Sequence, residues 1–353
     1  MAQPTLAVVG ATGSVGSVML ELLSARRNHW GEIRLLASAR SVGKSLTCRG
    51  ERLDVAELTA EAFDGVDVAM FNVPDAVAEH WAPIAVSRGV TVVDNSAAFR
   101  MRPEVPLVVP EVNREAVRSR PIGIVSSANS ATASMIVAVA PLHDEFGLRE
   151  LVLASYQSAS GAGQLGVDTL HDQLTKVAGD RLLGSRTGNV RQAVGDDLGP
   201  FPAPLALNVV PWAGDLADLG WSSEEIELRN ESRKILGLPA LKVSATCVRV
   251  PVVTGHSIAV HAVFASEVTA DGARQVLRNA PGVILVDDPE SGEFPMPIDA
   301  VGTDPSWVGR IRRAMDDPRA LSLFITGDNM RKGAALNTVQ IAELIAAEIA
   351  KRA

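Results

Sequence analysis

Cysteine is scarce in this 353-residue chain. The two cysteines, Cys48 and Cys247, lie far apart, and neither belongs to a CxxC pair or to a cluster of cysteine and histidine. Disulfide frameworks and zinc sites both require closely spaced groups of such residues. The sequence therefore predicts free thiols in a reducing compartment and no metal site.

Long apolar runs and an excess of positive charge are also missing. No apolar run reaches the roughly 18 residues that a membrane-spanning helix needs. Residues Thr5–Val9 lead straight into a glycine turn, so no signal sequence is expected. The formal net charge of -8 disfavours a nucleic-acid partner, which would require a basic surface. We therefore expect a cytoplasmic protein whose partners are neither membranes nor nucleic acids.

Aromatic residues make up only 4% of the chain, whereas apolar residues as a whole supply 47%. Alanine, valine, leucine and isoleucine must therefore fill the core, as in α/β proteins whose strands are buried on both faces. A chain of 353 residues exceeds the size of one ordinary hydrophobic core. The bulk numbers thus predict two domains.

The first 130 residues alternate short β-branched runs with helical stretches. The helical stretch Val15–Arg26 places Val15, Met19, Leu22 and Leu23 on one face. Strands and helices that alternate at this spacing predict an α/β domain with a Rossmann-type, doubly wound parallel sheet. The predicted strands are Thr5–Val9, Ile33–Ala37, Val66–Asn72, Val90–Asp94 and Ile122–Ser126.

Beyond these residues the pattern changes to longer strands with few helical crossovers. The predicted strands are Leu151–Tyr156, Lys242–Val253 and His256–Ala265, and a polar helix is predicted over Ser223–Leu236. This pattern predicts a second domain of the α+β class, with a mixed and mostly antiparallel sheet. The closing segment Asn337–Arg352 has the apolar spacing of a helix, with Asn337 as a candidate N-cap.

Three glycines follow the first predicted strand and open the first helix. Gly10, Gly13 and Gly16 have the spacing that permits a tight turn and lets a diphosphate approach the helix N-terminus. In this strand–turn–helix setting the spacing favours a dinucleotide site over a bare turn.

The end of the second predicted strand indicates which dinucleotide binds. NAD-binding proteins usually place an acidic residue there for the ribose hydroxyls, whereas this segment reads Ala37-Ser38-Ala39-Arg40-Ser41. Ser38, Arg40 and Ser41 together suit the 2′-phosphate of NADP. Arg40 by itself would also be explained as a solvated surface cation.

Sequence blocks along the whole chain resemble those of bacterial aspartate-semialdehyde dehydrogenases. The first blocks are Gly10–Gly16 and Leu36–Lys44, and the last are Asp328-Asn329 and Arg331–Asn337. Between them lie Val93–Ser96, Phe99-Arg100, Pro106–Asn113, Tyr156-Gln157, Ser160–Gly163, Asn208–Pro211, Ser244–Pro251 and His256-Ser257. The resemblance implies that the closing helix returns to the first domain. It thus implies a dinucleotide-binding domain of residues 1–129 with 330–353, and a catalytic and dimerisation domain of residues 130–329. A homodimer, or a homotetramer of dimers, paired through the second domain's sheet is also implied.

Members of this family interconvert L-aspartyl-4-phosphate and L-aspartate 4-semialdehyde with NADP(H), through a thioester on a cysteine. The resemblance implies a small anionic, amino-acid-like substrate together with phosphate. The implied roles are acyl orientation by Gln157, acid–base catalysis by His256, carboxylate binding by Arg249, amine binding by Glu231, and phosphate binding by Arg100, Asn129 and Lys234. The residues implied at the NADP site are Gly10, Thr12, Gly13, Ser14, Val15, Ser38, Arg40, Ser41, Ser160, Gly161 and Asn329.

The chain departs from the family at the catalytic nucleophile. Ser130 stands where the family has cysteine, in a segment that reads Ala128-Asn129-Ser130-Ala131-Thr132. It begins a predicted helix over Ala131–Ala140, whose dipole assists a thiolate far more than a serine hydroxyl. Serine needs a base to attack, and a positioned base such as His256 contributes typically ~10²–10⁴-fold. Cys247 belongs to an ordinary block of the family and is expected to pack in the sheet.

A second departure follows the third predicted strand. Active relatives have a small turn of glycine or alanine against the cofactor, whereas this chain reads Val73-Pro74. The bulkier residues would restrict the approach of the nicotinamide ribose.

Three functions therefore remain open. The chain is an NADP-dependent oxidoreductase of amino-acid biosynthesis that works through Ser130 with His256, or it transfers an acyl group through Ser130 without redox chemistry. In the third alternative it is an inactive paralogue that binds ligand or an active subunit. Retention of Gln157, Arg249 and His256 disfavours the third alternative, since a scaffold needs none of them. The sequence favours the oxidoreductase.

Overall fold

The computed structural model describes residues 3–352, which form two compact units. One unit consists of residues 3–129, 234–238 and 330–352, and the other consists of residues 130–233 and 239–329. Among the described residues no helix is both long and apolar enough to cross a membrane.

Strands β1 to β8 belong to the first unit and β9 to β14 to the second. Within residues 3–352 they are β1 (Leu6–Val9), β2 (Ile33–Ala37), β3 (Ser45–Cys48), β4 (Glu51–Glu57), β5 (Val68–Phe71), β6 (Thr91–Asp94), β7 (Leu107–Val108), β8 (Ile124–Ser127), β9 (Leu148–Gln157), β10 (Lys242–Arg249), β11 (His256–Phe264), β12 (Val283–Leu285), β13 (Ser306–Arg313) and β14 (Ala320–Gly327).

The α-helices in the same range are α1 (Ser14–Ala25), α2 (Asp75–Ser87), α3 (Pro110–Asn113), α4 (Ser130–Phe146), α5 (Gly163–Val177), α6 (Asn189–Val194), α7 (Ser223–Leu236), α8 (Ala270–Arg278), α9 (Pro297–Ala300) and α10 (Leu336–Arg352). Short 3₁₀ turns include Ala39–Ser41 and Ala159–Ala162. A π-helical turn, Arg331–Ala335, leads into α10.

The first unit is built on an eight-stranded sheet of order β3-β4-β2-β1-β5-β6-β8-β7. All neighbours are parallel except β3 and β4, which form an antiparallel edge. β1 is buried at every residue, which explains its uninterrupted apolar sequence. It lies between β2 and β5, with Val9 opposite Leu36 and Phe71. This arrangement confirms the predicted doubly wound fold and places a topological switch point at the carboxyl end of β1.

Helices cover both faces of this sheet. Leu22 of α1 and Ile341 of α10 belong to one apolar cluster, together with Val8 of β1. Ala78 and Ala82 of α2, four residues apart on one helical face, belong to the cluster on the other side. The small side chains of α2 let the helix lie close to the strands.

The second unit is built on a six-stranded mixed sheet of order β10-β9-β11-β14-β13-β12. The β9–β10 and β12–β13 pairs are parallel and the other three pairs are antiparallel, so the predicted mixed sheet is confirmed. α4 covers one face, against β9, β11, β13 and β14. Along β9, Leu151 and Leu153 are buried, whereas Val152 and Tyr156 are exposed on the opposite face. This alternation is the period of two expected of a strand with one covered face.

The structure corrects three details of the prediction. α4 continues beyond the predicted end at Ala140, through Pro141 to Phe146, and Leu142 in this extension is buried. β10 ends at Arg249 and not at Val253, since the following residues bond to the Ala159–Ser160 turn. The predicted N-cap Asn337 is wrong, because the π-helical turn continues without a break into α10 and places Asn337 inside helical structure.

Candidate functional site

Sheet register brings four of the predicted residues to one edge of the second unit. β9 and β10 run parallel, and their last residues, Gln157 and Arg249, lie directly opposite each other. His256 begins the antiparallel neighbour β11 and pairs with Gly327, the last residue of β14. Asn329 follows β14 by two residues. These four side chains are far apart in sequence and buried in the structure.

His256 is an almost fully buried, neutral imidazole. Its exposed fraction is 1%, and its Nδ1 accepts a hydrogen bond from the backbone N–H of Ser158 at 3.2 Å. Burial and then the nearby Arg249 guanidinium lower the pKa of His256 to about 3, because both disfavour a positive charge on the ring. The ring is therefore uncharged at physiological pH.

Arg249 lies beside His256 and is 7% exposed. Its Nη1 donates to the carbonyl oxygen of Ser158 at 2.9 Å. Burial lowers the pKa of Arg249, but a guanidinium remains protonated in proteins. A Cβ on Gly161 would stand 2.5 Å from Nη1 of Arg249 and 3.2 Å from Nε2 of His256, so any side chain at this position would displace the Arg249 guanidinium.

Gln157 contacts an acidic residue that sequence reasoning missed. Its Nε2 donates to Oε2 of Glu224 at 3.1 Å, and the charge of Glu224 also acts on Arg249. Glu231, predicted to bind the amine, lies two helical turns further along α7 and is fully buried. The structure thus brings Glu224 to the Gln157–Arg249 pair, and the role predicted for Glu231 stays a prediction.

A capping box fixes the start of α7 and with it the position of Glu224. The Ser222 N–H donates to Oε2 of Glu225 at 2.9 Å, and the Glu225 N–H donates to the Ser222 hydroxyl at 3.4 Å. Oε1 of Glu225 accepts from the N–H of Cys247 at 3.0 Å, which ties the helix start to β10. The Ser-x-x-Glu pattern was the available sequence signal: it marks Glu225 as the residue that caps α7 and so distinguishes it from Glu224, which contacts Gln157.

Ser130 is the first residue of α4 and is only partly buried. It therefore lies at the positive end of a 17-residue helix. Ser130 and His256 both belong to the described part of the second unit, and no hydrogen bond joins their side chains. Asn129, which precedes Ser130 in the chain, is counted with the first unit and is 5% exposed.

In the first unit, Lys234 braces the segment that carries Arg100. Its ammonium donates to the carbonyl oxygens of Arg100, Arg102 and Val105 at 2.6, 2.8 and 2.7 Å. Arg100 in turn donates through Nε to the carbonyl oxygen of Ser127 at 3.1 Å. An ammonium has three N–H groups, so phosphate binding by Lys234 would require at least one of these bonds to break.

The predicted dinucleotide residues of the first unit lie in the turns that follow β1 and β2 and in the first turn of α1. Gly10 has φ of 85°, and a Cβ there would stand 2.1 Å from the carbonyl oxygen of Asn72. Gly13 is the N-cap of α1 and no side chain caps this helix, so its first N–H groups remain for an anion. Thr12 and Ser41 touch through their hydroxyls at 3.2 Å, which joins the turns after β1 and β2. The remaining predicted residues there are Ser14 and Val15 in the first turn of α1, and the exposed Ser38 and Arg40.

Two residues predicted to bind the cofactor contact each other in the second unit, and Cys247 lies in the sheet. Ser160 and Asn329, predicted at the cofactor, hydrogen bond to each other in the second unit at 3.0 Å. Cys247 is fully buried in β10, and burial raises its pKa to about 12, so the prediction that it packs in the sheet is confirmed. Within the described residues no group of three acidic, histidine or cysteine side chains could hold a metal ion.

Known proteins match the chain along its whole length. The family described as “Semialdehyde dehydrogenase, NAD binding domain” matches residues 5–120, and “Semialdehyde dehydrogenase, dimerisation domain” matches residues 139–332. The chain is 46% identical to the aspartate-semialdehyde dehydrogenase of Streptomyces akiyoshiensis, over 97% of this chain and 98% of that protein. The enzyme of that name from Corynebacterium glutamicum is also 46% identical, over 97% and 99%. The crystal structure of aspartate semialdehyde dehydrogenase II from Vibrio cholerae complexed with ASA superposes with a TM-score of 0.89 at 36% identity, covering 99% of both chains.

Proposed function

Because the chain belongs to the aspartate-semialdehyde dehydrogenase family, we propose that it interconverts L-aspartyl-4-phosphate and L-aspartate 4-semialdehyde, or a close analogue, with NADP(H). The predicted family and its oxidoreductase class are confirmed by the match along both domains. The choice of NADP, the roles of individual residues and the part played by Ser130 belong to the proposal.

The pairing of opposite charges at the sheet edge carries this proposal. Arg249 is a buried cation suited to the planar carboxylate of an amino acid, and Glu224 is a carboxylate suited to an ammonium group. Gln157 lies between them, with its amide held by Glu224 and its backbone opposite Arg249. A small α-amino acid derivative would satisfy both charges at once. In this proposal Glu224 binds the ammonium group at this end of the sheet, while amine binding by Glu231, which the resemblance implies, stays a prediction.

The turn after β1 fits a dinucleotide diphosphate. The uncapped N-terminus of α1 offers N–H groups to a diphosphate, and the glycines allow a close approach. Ser38, Arg40 and Ser41 follow β2 without an acidic residue, which supports the 2′-phosphate of NADP. When bound there, the nicotinamide would supply or accept the hydride.

Ser130 forms and releases the acyl ester in this proposal. Its Oγ bonds to the C4 carbonyl carbon as the bond from that carbon to the phosphate oxygen breaks. The hydroxyl proton leaves with the phosphate group, which departs as hydrogen phosphate. Reduction of the ester then returns the aldehyde and the free hydroxyl, with one proton from solvent. The partly exposed position of Ser130 at the N-terminus of α4 supports this role, because a substrate can reach it.

The second unit contains the family's dimerisation domain, and we propose that two copies pair through it as a homodimer. The face of its sheet opposite α4 exposes Val152 and Tyr156, at 42% and 39%. Exposed apolar side chains on an open sheet face are typical of a protein–protein interface. Sedimentation of the purified protein would distinguish a dimer from a tetramer of two such dimers.

Phosphate-dependent reduction of NADP by aspartate semialdehyde tests the reaction, with wild type, Ser130→Cys and Ser130→Ala compared. Turnover by wild type that Ser130→Ala abolishes would support Ser130 as the nucleophile. Activity in Ser130→Cys alone would mean that the pocket is intact while the natural protein lacks this reaction. Phosphate release from aspartyl phosphate without oxidation of NADPH would favour non-redox acyl transfer. Inactivity of all three would overturn the proposal.

Glu224→Gln and Glu225→Gln separate substrate binding from structure. We expect Glu224→Gln to raise the KM for the amino substrate roughly 10–100-fold, since hydrogen bonds to charged groups contribute about 1.5–3 kcal/mol. Glu225→Gln should instead lower the melting temperature, because Glu225 caps α7 and holds Cys247. A Glu224→Gln protein with an unchanged KM would show that the amine binds elsewhere.

A further inference from the structure

A cleft of about 300 Å³ lies beside Arg249 in the second unit. One wall consists of residues 199–202 and the other of residues 212–214, and Ala162 and Arg249 complete the lining. Small-molecule pockets in proteins typically enclose about 300–1,000 Å³, so this cleft is large enough for one compact ligand. The reaction proposed above assigns no role to it.

A buried amide on α5 fixes the wall formed by residues 199–202. Nε2 of Gln173 donates to the carbonyl oxygen of Asp197 at 3.2 Å. Its Oε1 accepts from the N–H groups of Leu205 and Ala206 at 2.8 and 3.2 Å. Gln173 is 1% exposed, so water does not compete for these bonds. One side chain therefore holds the backbone on both sides of this wall, and the cleft is pre-formed.

The opposite wall is tied to the backbone of Arg249. Val210 forms an antiparallel bridge with Arg249, and the two N–H groups donate to the opposite carbonyl oxygens at 2.9 and 2.7 Å. Two residues further on, the partly buried Trp212 packs against an apolar cluster that contains Val210 and Phe201. The two walls therefore share one core, and both are held close to Arg249.

The lining of the cleft is apolar apart from one cation. Two aromatic residues and two prolines supply ring surfaces: Phe201, Trp212, Pro200 and Pro202. Arg249 is the one charged residue among the described residues of the lining. A guanidinium has five N–H groups, so Arg249 can bind a carboxylate while it keeps its bond to the backbone. The cleft therefore fits a molecule that joins one carboxylate to an apolar, planar body.

A second carboxylate on the ligand would meet unfavourable surroundings. Glu224 lies directly behind one wall, since a Cβ on Gly214 would stand 3.1 Å from its Cγ. The negative charge of Glu224 would repel another anion, and the apolar rings of the lining offer such a group no hydrogen bond. An apolar monocarboxylate therefore fits the cleft better than a dicarboxylate does.

We propose that the cleft binds an aromatic monocarboxylate, whose carboxylate pairs with Arg249 and whose ring lies between the walls that contain Trp212 and Phe201. The same guanidinium also borders His256, because a Cβ on Gly161 would stand 2.5 Å from Nη1 of Arg249 and 3.1 Å from Cε1 of His256. Arg249 thus belongs to the cleft and to the amino-acid site, so this ligand competes with the substrate. The competition rests on the proposed function, whereas binding to the cleft does not.

Isothermal titration calorimetry of the full chain with 3-phenylpropanoate tests the site. We expect this acid to bind at least about 10-fold more tightly than 3-phenylpropan-1-ol, which keeps the ring but lacks the charge. Propanoate, which keeps the charge but lacks the ring, should also bind at least about 10-fold more weakly. Equal affinities for the ring-bearing acid and alcohol would remove Arg249 from the site. No binding of 3-phenylpropanoate would overturn the proposal.

Ala162→Leu and Ala178→Leu test where the ring lies. Ala162 lines the cleft, so leucine there should occupy the space of the ring and weaken the binding of 3-phenylpropanoate at least about 10-fold. Ala178 is exposed after the end of α5 and outside the lining, so the same change there should leave the affinity unchanged. An unchanged affinity in Ala162→Leu, or an equal loss in both variants, would overturn the proposed position. Melting temperatures check that both variants fold, and the comparison of ligands on the wild-type chain decides if one does not.

Competition with the substrate separates this inference from the proposed function. In whichever of wild type or Ser130→Cys turns over, 3-phenylpropanoate should raise the KM for the amino substrate without changing kcat. Ala162→Leu should remove this effect. A lowered kcat with an unchanged KM would overturn the shared use of Arg249. If neither protein turns over, the proposed function fails, and calorimetry still decides whether the cleft binds the carboxylate.

Discussion

Gly161 separates the Arg249 guanidinium from the His256 ring without a side chain of its own. A Cβ there would stand 2.5 Å from Nη1 of Arg249, closer than any relaxed contact. We expect Gly161→Ala to displace Arg249 and to raise the KM for the substrate at least ~10-fold, as for a lost hydrogen bond to a charged group. The melting temperature should change little, because the guanidinium can move. Steady-state kinetics and thermal unfolding check this in whichever of wild type or Ser130→Cys turns over.

Gly163 provides the matched control two residues away. Its φ is 72°, and a Cβ there would meet no atom within 4 Å. With ψ of -167° this backbone conformation is essentially restricted to glycine, so Gly163→Ala should cost roughly 1–3 kcal/mol of backbone strain and leave the KM unchanged. The opposite pattern, with Gly163→Ala impairing substrate binding and Gly161→Ala harmless, would contradict the geometry of this edge.

Asp94 supplies a prediction about pH in the first unit. Burial raises its pKa to about 6, and bonds from the N–H and hydroxyl of Ser96 only partly offset this. Between about pH 4 and pH 6 the unfolded carboxyl ionises while the folded one stays protonated, so wild type loses stability as the pH rises. A shift of about two pH units corresponds to ~3 kcal/mol.

Asp94→Asn removes this ionisation. Relative to wild type, the variant's free energy of unfolding should increase by up to ~3 kcal/mol from pH 4 to pH 7 and then remain level. Urea unfolding of both proteins at each pH measures this difference in the free energy of unfolding. A difference that is independent of pH would mean that the folded carboxyl ionises normally.

The sequence predicts the functional role of some single residues better than that of others. Arg249 and His256 stand in distinctive sequence blocks, and the structure places both at one edge. Glu224 was missed because it lies next to another acidic residue, and only the capping box distinguishes the two. The phosphate role of Lys234 was implied by the family resemblance, whereas its bonds to three carbonyl oxygens depend on the path of residues 100–105.

At the scale of elements, the junction of the π-helical turn with α10 holds a buried polar network in the first unit. Lys332 as a whole residue is 1% exposed. Its ammonium donates to Glu111, to Asn337 at 2.9 Å and to Gln340 at 3.0 Å. Asn337 then donates to the hydroxyl of Ser127 at the end of β8. π-Helical turns are rare and often mark functional positions. Here the turn brings the lysine inward, toward the strand that leads to Asn129.

Lys332→Met should destabilise the protein strongly. It leaves the partly buried Glu111 without its cation, and breaking a fully buried pair typically costs about 3–5 kcal/mol, which is the upper bound here. Lys332→Met combined with Glu111→Leu should recover part of this loss, because no unpaired charge remains. Chemical denaturation of the two variants measures the difference. A double variant less stable than Lys332→Met alone would show that the network's hydrogen bonds outweigh the ion pair.

Elements with a clear period were predictable, and their ends were less so. β2 and α7 match the sequence prediction at both ends, since polar or turn residues flank them. α4 was predicted to end at Ala140, yet the helix continues through Pro141 to Phe146. The π-helical turn has no signal of its own in local composition, because it depends on burying Lys332 among three acceptors.

At the scale of the whole molecule, the sheet face opposite α4 has no cover within the described second unit. Val152 and Tyr156 project from it four residues apart on β9, and Tyr156 lies 6.1 Å from the ring of Phe324 on β14. Because side chains alternate along a strand, Gln157 and Arg249 point to the opposite face of the sheet. Substitutions on the exposed face therefore do not alter the candidate site directly.

If two copies pair through this face, charges introduced there should separate them. We expect wild type to sediment as a dimer and the double variant Val152→Glu/Tyr156→Glu as a monomer, because like charges would be buried against each other. Ile298→Glu and Met315→Glu are the controls, since these side chains are 79% and 100% exposed outside this face. They should leave the dimer intact at micromolar concentration. A monomeric wild type, or dissociation by the controls alone, would place the family's dimerisation function on another surface of this unit.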